Sequence, residues 1–522
     1  MANPGSQKYT DVPLKIAGSN HFGRYPKISS EETFNMIVSD GWLVPFAGYK
    51  NVVTISPNGE GRGIYSSARL GLLFAVIDNV LYKFGDSLTY TFCGNLTTST
   101  GDVFITENNA GQIVLTDEVN MYVYSTQPSP SFLIITAATL EFTPGYLTFQ
   151  NGRIISPDIV SYVWRLSVVN EARNWPTPDN TDPTTPGGAY QGALQTKPDT
   201  CVACVRMPGR GNQLLVMGNT VTEIWQDVGA QLFPYNRSQS QNFDYGCINS
   251  ATIGESEDMV CWVAANEKSG PVIMYSKGGQ VQHISNDGID FKLSQLKYPD
   301  IVYGYMFKQD GHLFYVVSWV KDNLTYAYDF NTESFYTLTD ENMNAFIAKR
   351  VAFFNDQYYF VSIRDGNLYQ LGTQFTNYDY GDRIWEIPRI RVVPNIIQPD
   401  QSQFVAGYTG FTIEQGDTPY NNLDTRFELG TEDQNVVGTQ DLNAIGGGTN
   451  YRNTVPSVDL TISVDGGQNF GSSWRMELNP LGRRPNKLMW WGLGMSNDLV
   501  QQFRFWGLGK FVVKDGITGV YQ

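Results

Sequence analysis

LLFAVIDNVLYKFG, residues 72–85, is two apolar runs hinged on the pair Asp78-Asn79. Runs of this length bounded by turn residues read as strands. Asn and Asp between them supply the positive φ that a two-residue hairpin turn requires. The pattern returns in GQIVLTDEVNMYVYS (111–125), YLTFQNGRIISP (146–157), LLVMGNTVTEIWQ (214–226), VIMYSKGGQVQHIS (272–285), YVVSWVKDNLTYAYDF (315–330) and YYFVSIRDGNLYQLG (358–372). Asn79, Glu118, Asn151, Asn219, Gly279, Asn323 and Gly366 mark the successive turns. Several of the intervals fall in the roughly 40–50-residue period of propeller blades, and the longer ones on either side of Asn219 leave room for inserted loops. A radial β-propeller of about six or seven blades over residues 64–384 closes such hairpins with few exposed sheet edges. Stacked β-sandwiches are the competing arrangement.

Composition supports the same fold class. Aromatic residues make up 13% of the chain, and 51 glycines accompany them while only 17% of residues are charged, which excludes long amphipathic helices as the main element. The chain is predicted to be all-β, and its 522 residues ask for two or three domains. Past residue 385 the segments IWEIPRIRVV, FVAGYTGFTIEQG, VDLTISVDGG, SWRMELNP, NKLMWWGLG and QQFRFWGLGKFVV read as a C-terminal β-sandwich-like domain, 385–522. Two stretches rich in Pro, Thr, Asp and Gly, 170–199 and 416–456, are expected to be long inserted loops. Residues 1–63 read as an irregular N-terminal segment contributing to the platform, with SSEETFN (29–35) starting a short helix at Ser29 or Ser30. On that reading Glu31 and Glu32 favour the helix dipole.

A net charge of −15 and a pI near 4.7 argue against a conventional nucleic-acid-binding role. The polar N-terminus has no secretory signature and no run reaches the ~18–20 apolar residues of a membrane helix, so no membrane insertion is expected. Five cysteines are an odd, scattered set. Cys201 and Cys204 form a lone C-x-x-C. A zinc site needs two further ligands, and the chain has only His21, His283 and His312. The alternation of CVACVRM makes these core cysteines, and neither metal nor cofactor is expected.

Catalytic motifs are missing too. There is no G-x-S-x-G, P-loop or H-E-x-x-H, and no histidine sits beside a serine or cysteine in a recognisable context. SVDGGQNF (463–470) fits the Asp-box, a hairpin turn best known from sialidases, whose aspartate accepts bonds from turn amides. It occurs once, outside the propeller region, so the reading is not an enzyme and no catalytic residue is assigned. Arg383, Arg389 and Arg391 read as solvated or subunit-facing arginines on an edge strand. The tetrapeptide WGLG occurs twice, at 491–494 and 506–509. It reads as the ends of two neighbouring strands that bury Trp491 and Trp506 and turn at the glycines.

The centre of the chain resembles the tail hub or nozzle proteins of short-tailed bacteriophages (podoviruses), the packaged-DNA stabilisation family. The resemblance lies in an ordered series. It runs through Gly218, Glu223 and Trp225, then Phe233 to Tyr235, Tyr245 to Cys247, and Val260, Trp262 and Val263, and ends in His283 to Ser285. Trp175 upstream, and downstream the Asp-box followed by the W-x-x-L-G (490–494) and F-R-F (503–505) pattern, extend it over roughly 20–515. The resemblance implies a β-propeller tail protein of the virion, assembled in the host bacterial cytoplasm. It implies a homo-oligomer, typically a hexameric ring, under the portal and its adaptor, which retains packaged dsDNA and extends the channel for its ejection. Needle or plug proteins and tail fibres or spikes are the implied partners. Six copies at −15 each carry −90 formal charges, and an acidic channel would let dsDNA pass without specific binding. A receptor- or glycan-binding propeller of the virion is the alternative, and a sialidase-like hydrolase a more distant one.

Overall fold

The computed structural model describes residues 9–22, 30–176, 190–230, 233–415, 456–478, 486–507 and 509–521. In it the hairpin at 72–85 forms the middle of a four-stranded antiparallel sheet. Leu72–Ile77 pairs with Val80–Phe84 from Leu73↔Phe84 to Ile77↔Val80, and Asp78, not Asn79, takes the positive φ of the turn. Gly61–Ser67 lies on the inner side and Tyr90–Asn95 on the outer. Equivalent units follow at 104–135, 148–193, 201–243, 254–283, 302–337 and 348–372. Five of these sheets stand alone and two are embedded in larger sheets, which makes seven blades among the described residues.

Side-chain alternation explains the closure. Successive residues of a strand point to opposite faces of a sheet, so each blade feeds two cores. In blade 1, Leu73 and Ala75 pack with Val361 and Leu368 of blade 7. Their neighbours Phe74 and Val76 pack with Ile113 and Leu115 of blade 2. The same division repeats around the ring, with one apolar cluster at each blade–blade interface. Each fully buried Leu, Ile or Phe contributes about 1.5–3 kcal/mol, which is why both faces of a central blade strand are apolar. Blade 7 takes its outer strand from the N-terminal part of the chain: Gly48–Ser56 pairs antiparallel with Gly366–Gly372. The ring is thereby held shut by residues more than 300 positions apart in sequence.

Residues 9–56 are more ordered than their sequence suggests. Six strands occupy them: Thr10–Leu14, His21–Phe22, Ser30–Phe34, Met36–Ser39, Trp42–Pro45 and Gly48–Ser56. The helix expected at Ser29 or Ser30 is the strand Ser30–Phe34, hydrogen-bonded to Arg389–Val392 through Glu32↔Val392, Thr33↔Arg391 and Phe34↔Ile390. Tertiary pairing overrides the local N-cap signal here. The C-terminal sandwich is therefore discontinuous in sequence. One sheet runs Thr10–Leu14, Gly516–Tyr521, Phe404–Gln415, Phe511–Val513, Trp42–Pro45, Met36–Ser39, and Asn486–Ser496 joins it on Phe404–Gln415. The other runs Ser30–Phe34, Arg389–Val392, Val500–Trp506, Ser457–Ser463, Trp474–Glu477. Leu14, Met36, Leu43, Phe404, Phe411, Leu460, Phe503 and Phe505 share the core between them.

The second sheet does not stop at the sandwich. Phe34 bridges Thr337, the last strand of blade 6, in parallel register. The expected loop 170–199 is described at 170–176 and 190–199, where Gln191–Ala193 is the outer strand of blade 3. The expected loop 416–456 lies outside the described residues except for Pro456.

Candidate functional site

The inner strands of the seven blades surround a central channel of about 620 Å³. Tyr65 of blade 1, Glu107 of blade 2, Arg206 of blade 4, Glu255 of blade 5, Met306 of blade 6 and Arg350 of blade 7 line it, together with Tyr146 at the entry to blade 3. Tyr146 donates its hydroxyl to Glu255 at 2.7 Å. Glu255 lines the channel deep within the ring, and the shortage of bulk solvent there raises its carboxyl above the usual range; the Tyr146 bond and Arg206 pull the other way. Glu107 accepts from Ser67 Oγ at 2.5 Å. Arg350 lies over the Phe104 ring at 4.8 Å. The channel is lined mainly by polar and charged groups, with Phe104 among the few apolar side chains that face it.

The ordered series that carried the resemblance sits elsewhere, in the frame of blades 4 and 5. Glu223 is fully buried. Its Oε1 accepts from the backbone N–H of Gln195 (2.8 Å) and Thr196 (2.6 Å) and from Thr196 Oγ1 (2.7 Å), and its Oε2 from Trp225 Nε1 (2.9 Å). Arg237 Nη1 stands 3.7 Å away as countercharge. A buried carboxylate holding four donors fixes the passage from blade 3 to blade 4. Trp225, Phe233 and Tyr235 surround Trp164 with ring centroids 5.3–5.5 Å from it. Gly246 passes so close to blade 4 that a Cβ would stand 2.2 Å from the carbonyl carbon of Asn219, and Trp262 Nε1 donates to the Gly246 carbonyl at 3.0 Å. Ser285 Oγ accepts from the Ile273 N–H at 3.0 Å. Half-exposed His283 lies 3.3 Å from Asp290. These are residues of assembly, and none faces the channel.

A profile of one family matches residues 17–376, more than half of the chain, and its description is bacteriophage P22 Gp10, β-propeller. The chain belongs to that phage family. Its match takes in the N-terminal strands from His21–Phe22 onward and all seven blades, and ends before the sandwich strands that carry the Asp-box and both WGLG copies. No curated protein matches the chain. Solved structures with a similar propeller include virginiamycin B lyase from Staphylococcus aureus, at 10% identity and TM-score 0.43 over 62% of this chain and 99% of that one. The WD40 β-propeller domain of Doa1 is another, at 11% identity and TM-score 0.39 over 62% and 97%.

Around this family frame, the remaining residues singled out in the sequence fall into place. Cys201 and Cys204 are both buried in the blade 3–blade 4 core. Residues three apart on a strand ordinarily face opposite ways, but a register shift between Cys201 and Ala203 turns both to one side. Burial pushes the Cys204 thiol well up. Among the described residues no group of histidine, cysteine and carboxylate side chains has the geometry to hold a metal ion. The Asp-box is a turn as expected. Asp465 Oδ1 accepts from Ser463 Oγ (2.6 Å) and the N–H groups of Gln468 (3.1 Å) and Asn469 (3.0 Å), which holds its carboxyl down at about 2.

Three expectations need correction. Arg389 and Arg391 are buried, on a strand that is central in its sheet, while Arg383 is exposed. Arg391 instead satisfies backbone carbonyls of the N-terminal segment and pairs with Glu31 at 2.7 Å. The WGLG copies lie in opposite sheets of the sandwich. The first continues inside the strand Asn486–Ser496, with Trp490 inward at 5% exposure and Trp491 outward at 66%. The second ends Val500–Trp506, where half-buried Trp506 donates to Asp459 at 2.8 Å under the Arg504 guanidinium, 3.7 Å from the ring. Period-two alternation selects Trp490, in phase with Leu488, for the core.

The partners of His312 are not disclosed by its neighbours in sequence. Its Nδ1 meets Asp329 Oδ2 at 2.8 Å and its Nε2 meets Ser39 Oγ at 3.0 Å. That bond order is shared with acyl-transfer triads. Here Asp329 also takes the Thr332 hydroxyl (2.8 Å) and the Asn331 N–H (2.9 Å), so the carboxylate closes its own blade 6 turn. The array clamps the hairpin that carries Ser39 onto blade 6.

Proposed function

We propose that this protein is a structural, non-catalytic component of a phage tail that assembles as a ring below the portal and its adaptor, retains packaged dsDNA and extends the conduit for its ejection. The observation that carries the reading is the family match over residues 17–376. Two features of the fold support it. The polar signature residues are spent on holding blades together, which suits a load-bearing part better than an enzyme. The channel of a single propeller is crossed by arginine, glutamate and tyrosine side chains and holds only about 620 Å³, so the path of a duplex belongs on the axis of a ring of copies. With −15 per copy, adhesive phosphate contacts are few. The ring is hexameric in this proposal, made in the host cytoplasm, with a plug or needle and fibres or spikes attached.

The test is to express the full chain with and without its adaptor ring, and to measure mass by light scattering and shape by electron microscopy. A closed ring, formed alone or on the adaptor, is the expected result. A monomer that never joins the adaptor overturns the reading. A glycan-binding role has one observation in its favour: exposed Trp491 adjoins Tyr408, with ring centroids 5.1 Å apart, on the outer face of the sandwich. A glycan array with Trp491→Ala as control tests it, and an array without hits removes it.

A further inference from the structure

We infer that the central channel of the propeller is a binding site for a small multivalent oxyanion, a molecule carrying phosphate or carboxylate groups, held by Arg206 and Arg350. The inference goes beyond the tail role and does not depend on it.

Charge bookkeeping around the channel leads to this assignment. Three arginines, Arg69, Arg206 and Arg350, line the cavity against two carboxylates, Glu107 and Glu255. Both carboxylates are already engaged by hydroxyl donors, Glu107 by Ser67 and Glu255 by Tyr146. Arg69 donates to the Asn108 carbonyl at 3.4 Å. Arg206 and Arg350 are different. Among the described residues neither guanidinium makes an ion pair or a side-chain hydrogen bond. The Nε and Nη2 atoms of Arg350 are shielded from solvent, so this guanidinium meets the channel through Nη1. A guanidinium without a countercharge in a sheltered cavity is costly, and an acidic protein has ample carboxylate with which to cover one.

The surroundings show where the acidic groups went. Lys349, next in sequence and directed to the other side of the strand, takes both Glu60 (2.9 Å) and Asp102 (3.2 Å). Glu118 feels the charge of Arg350 but lies beyond ion-pair distance, and burial raises its carboxyl. The nearby carboxylates are thus committed or held back, and two cations from blades 4 and 7 remain in one cavity. Phe104 and Tyr146, with ring centroids 5.1 Å apart, back this space with an apolar wall. Guanidinium forks match the planar or tetrahedral oxygens of carboxylate and phosphate, and a water-poor cavity strengthens the pairing. A volume of about 620 Å³ admits a metabolite-sized anion and excludes a polymer.

The experiment is isothermal titration calorimetry of the full chain with pyrophosphate and with citrate, at matched ionic strength. Saturable binding of at least one is expected. A preference for pyrophosphate assigns a phosphate-bearing ligand, and a preference for citrate a polycarboxylate. Arg206→Gln and Arg350→Gln should each weaken binding about tenfold, the loss of one charge-assisted contact. Glu255→Gln should tighten it several-fold by removing a competing carboxylate. Arg206 faces the channel and its guanidinium makes no hydrogen bond or ion pair among the described residues, so Arg206→Gln folds and carries the test even if Arg350→Gln does not. Absence of saturable heat from both anions, or affinities unchanged in Arg206→Gln and Glu255→Gln, overturns the proposal.

Discussion

Replacing Arg391 by methionine tests whether one guanidinium ties the N-terminal segment to the sandwich. Its side chain is fully buried and donates five bonds. Nε reaches the Ile16 carbonyl (2.9 Å), Nη1 the Ser19 carbonyl and Thr33 Oγ1 (3.2 Å each), and Nη2 the Lys15 carbonyl (3.1 Å) and Glu31 Oε2 (2.7 Å). The fit leaves no slack, since a Cβ on Gly18 would stand 2.1 Å from Nη2. Methionine fills similar volume but orphans three carbonyls and the Glu31 carboxylate. Removing one partner of a buried pair costs about 3–5 kcal/mol. Each stranded carbonyl alone would cost about 1–3 kcal/mol, and these costs overlap. We expect a loss of about 3–5 kcal/mol by urea denaturation, with faster amide exchange at residues 15–19. Glu31→Gln keeps an acceptor and should cost less. Adding it to Arg391→Met should cost less than the sum, because the charge left uncompensated is then gone. A loss below about 1 kcal/mol, or unchanged exchange at 15–19, would refute the reasoning.

Three further outcomes follow from the geometry. Trp490→Ala should cost about 3–5 kcal/mol by urea denaturation, whereas Trp491→Ala should stay within about 0.5 kcal/mol; the reverse order would restore the WGLG tryptophan as a core residue. Glu223→Ala should destabilise by about 3–5 kcal/mol, since four donors lose their acceptor, and Glu223→Gln by less; equal costs in the two variants would show that charge, not acceptance, is what matters. Asp465 is held at about 2 by Ser463 and by the backbone and side chain of Asn469, below the ~3.9 of an unfolded aspartate. A depressed carboxylate adds stability above the higher value and loses it as pH falls through the lower. The melting temperature of the native chain should therefore exceed that of Asp465→Asn above pH ~4, and the gap should narrow towards pH ~2; a gap independent of pH would contradict the bond assignment.

What the sequence disclosed was what local periodicity encodes. Apolar strand, turn residue and second strand repeat with a period, so the propeller and its approximate blade number were legible from 72–85 onward. The Asp-box was legible for the same reason, because the side-chain bonds of its aspartate fall within Ser463–Asn469. Interactions that depend on distant pairing were not. Ser30–Phe34 carries a helix-start pattern, but its backbone is claimed by Arg389–Val392, some 360 residues away. Arg389 and Arg391 look solvated because an arginine's partners cannot be seen in its own strand. The Ser39–His312–Asp329 array spans 290 residues and leaves no local trace. The channel residues are divided among all seven blades, so no segment contains more than a fraction of the site. A sign was available all the same: arginine recurs at inner-strand positions 206 and 350 of an acidic chain, in strands otherwise apolar except for Lys349.

The junction between propeller and sandwich bears most directly on a mechanical role. Two domains joined by a linker move relative to one another by default. Here the join is made of ladder and side-chain hydrogen bonds. Phe34 bridges Thr337. Asn35, in the left-handed region at φ 54, donates Nδ2 to Thr339 Oγ1 (2.8 Å) and to the Pro388 carbonyl (2.7 Å), and its Oδ1 accepts the Thr339 N–H at 2.9 Å. One buried amide thus contacts the N-terminal strand, blade 6 and the start of the sandwich. The hairpin that leaves it is clamped by His312 on blade 6 and shares the sandwich core through Met36 and Leu43. Tilting the sandwich on the propeller would break several buried bonds at once, each left without water to replace it. The N-terminal strands are therefore what makes one body of two folds, and a chain built this way transmits a push on its sandwich into the blades without a hinge to absorb it.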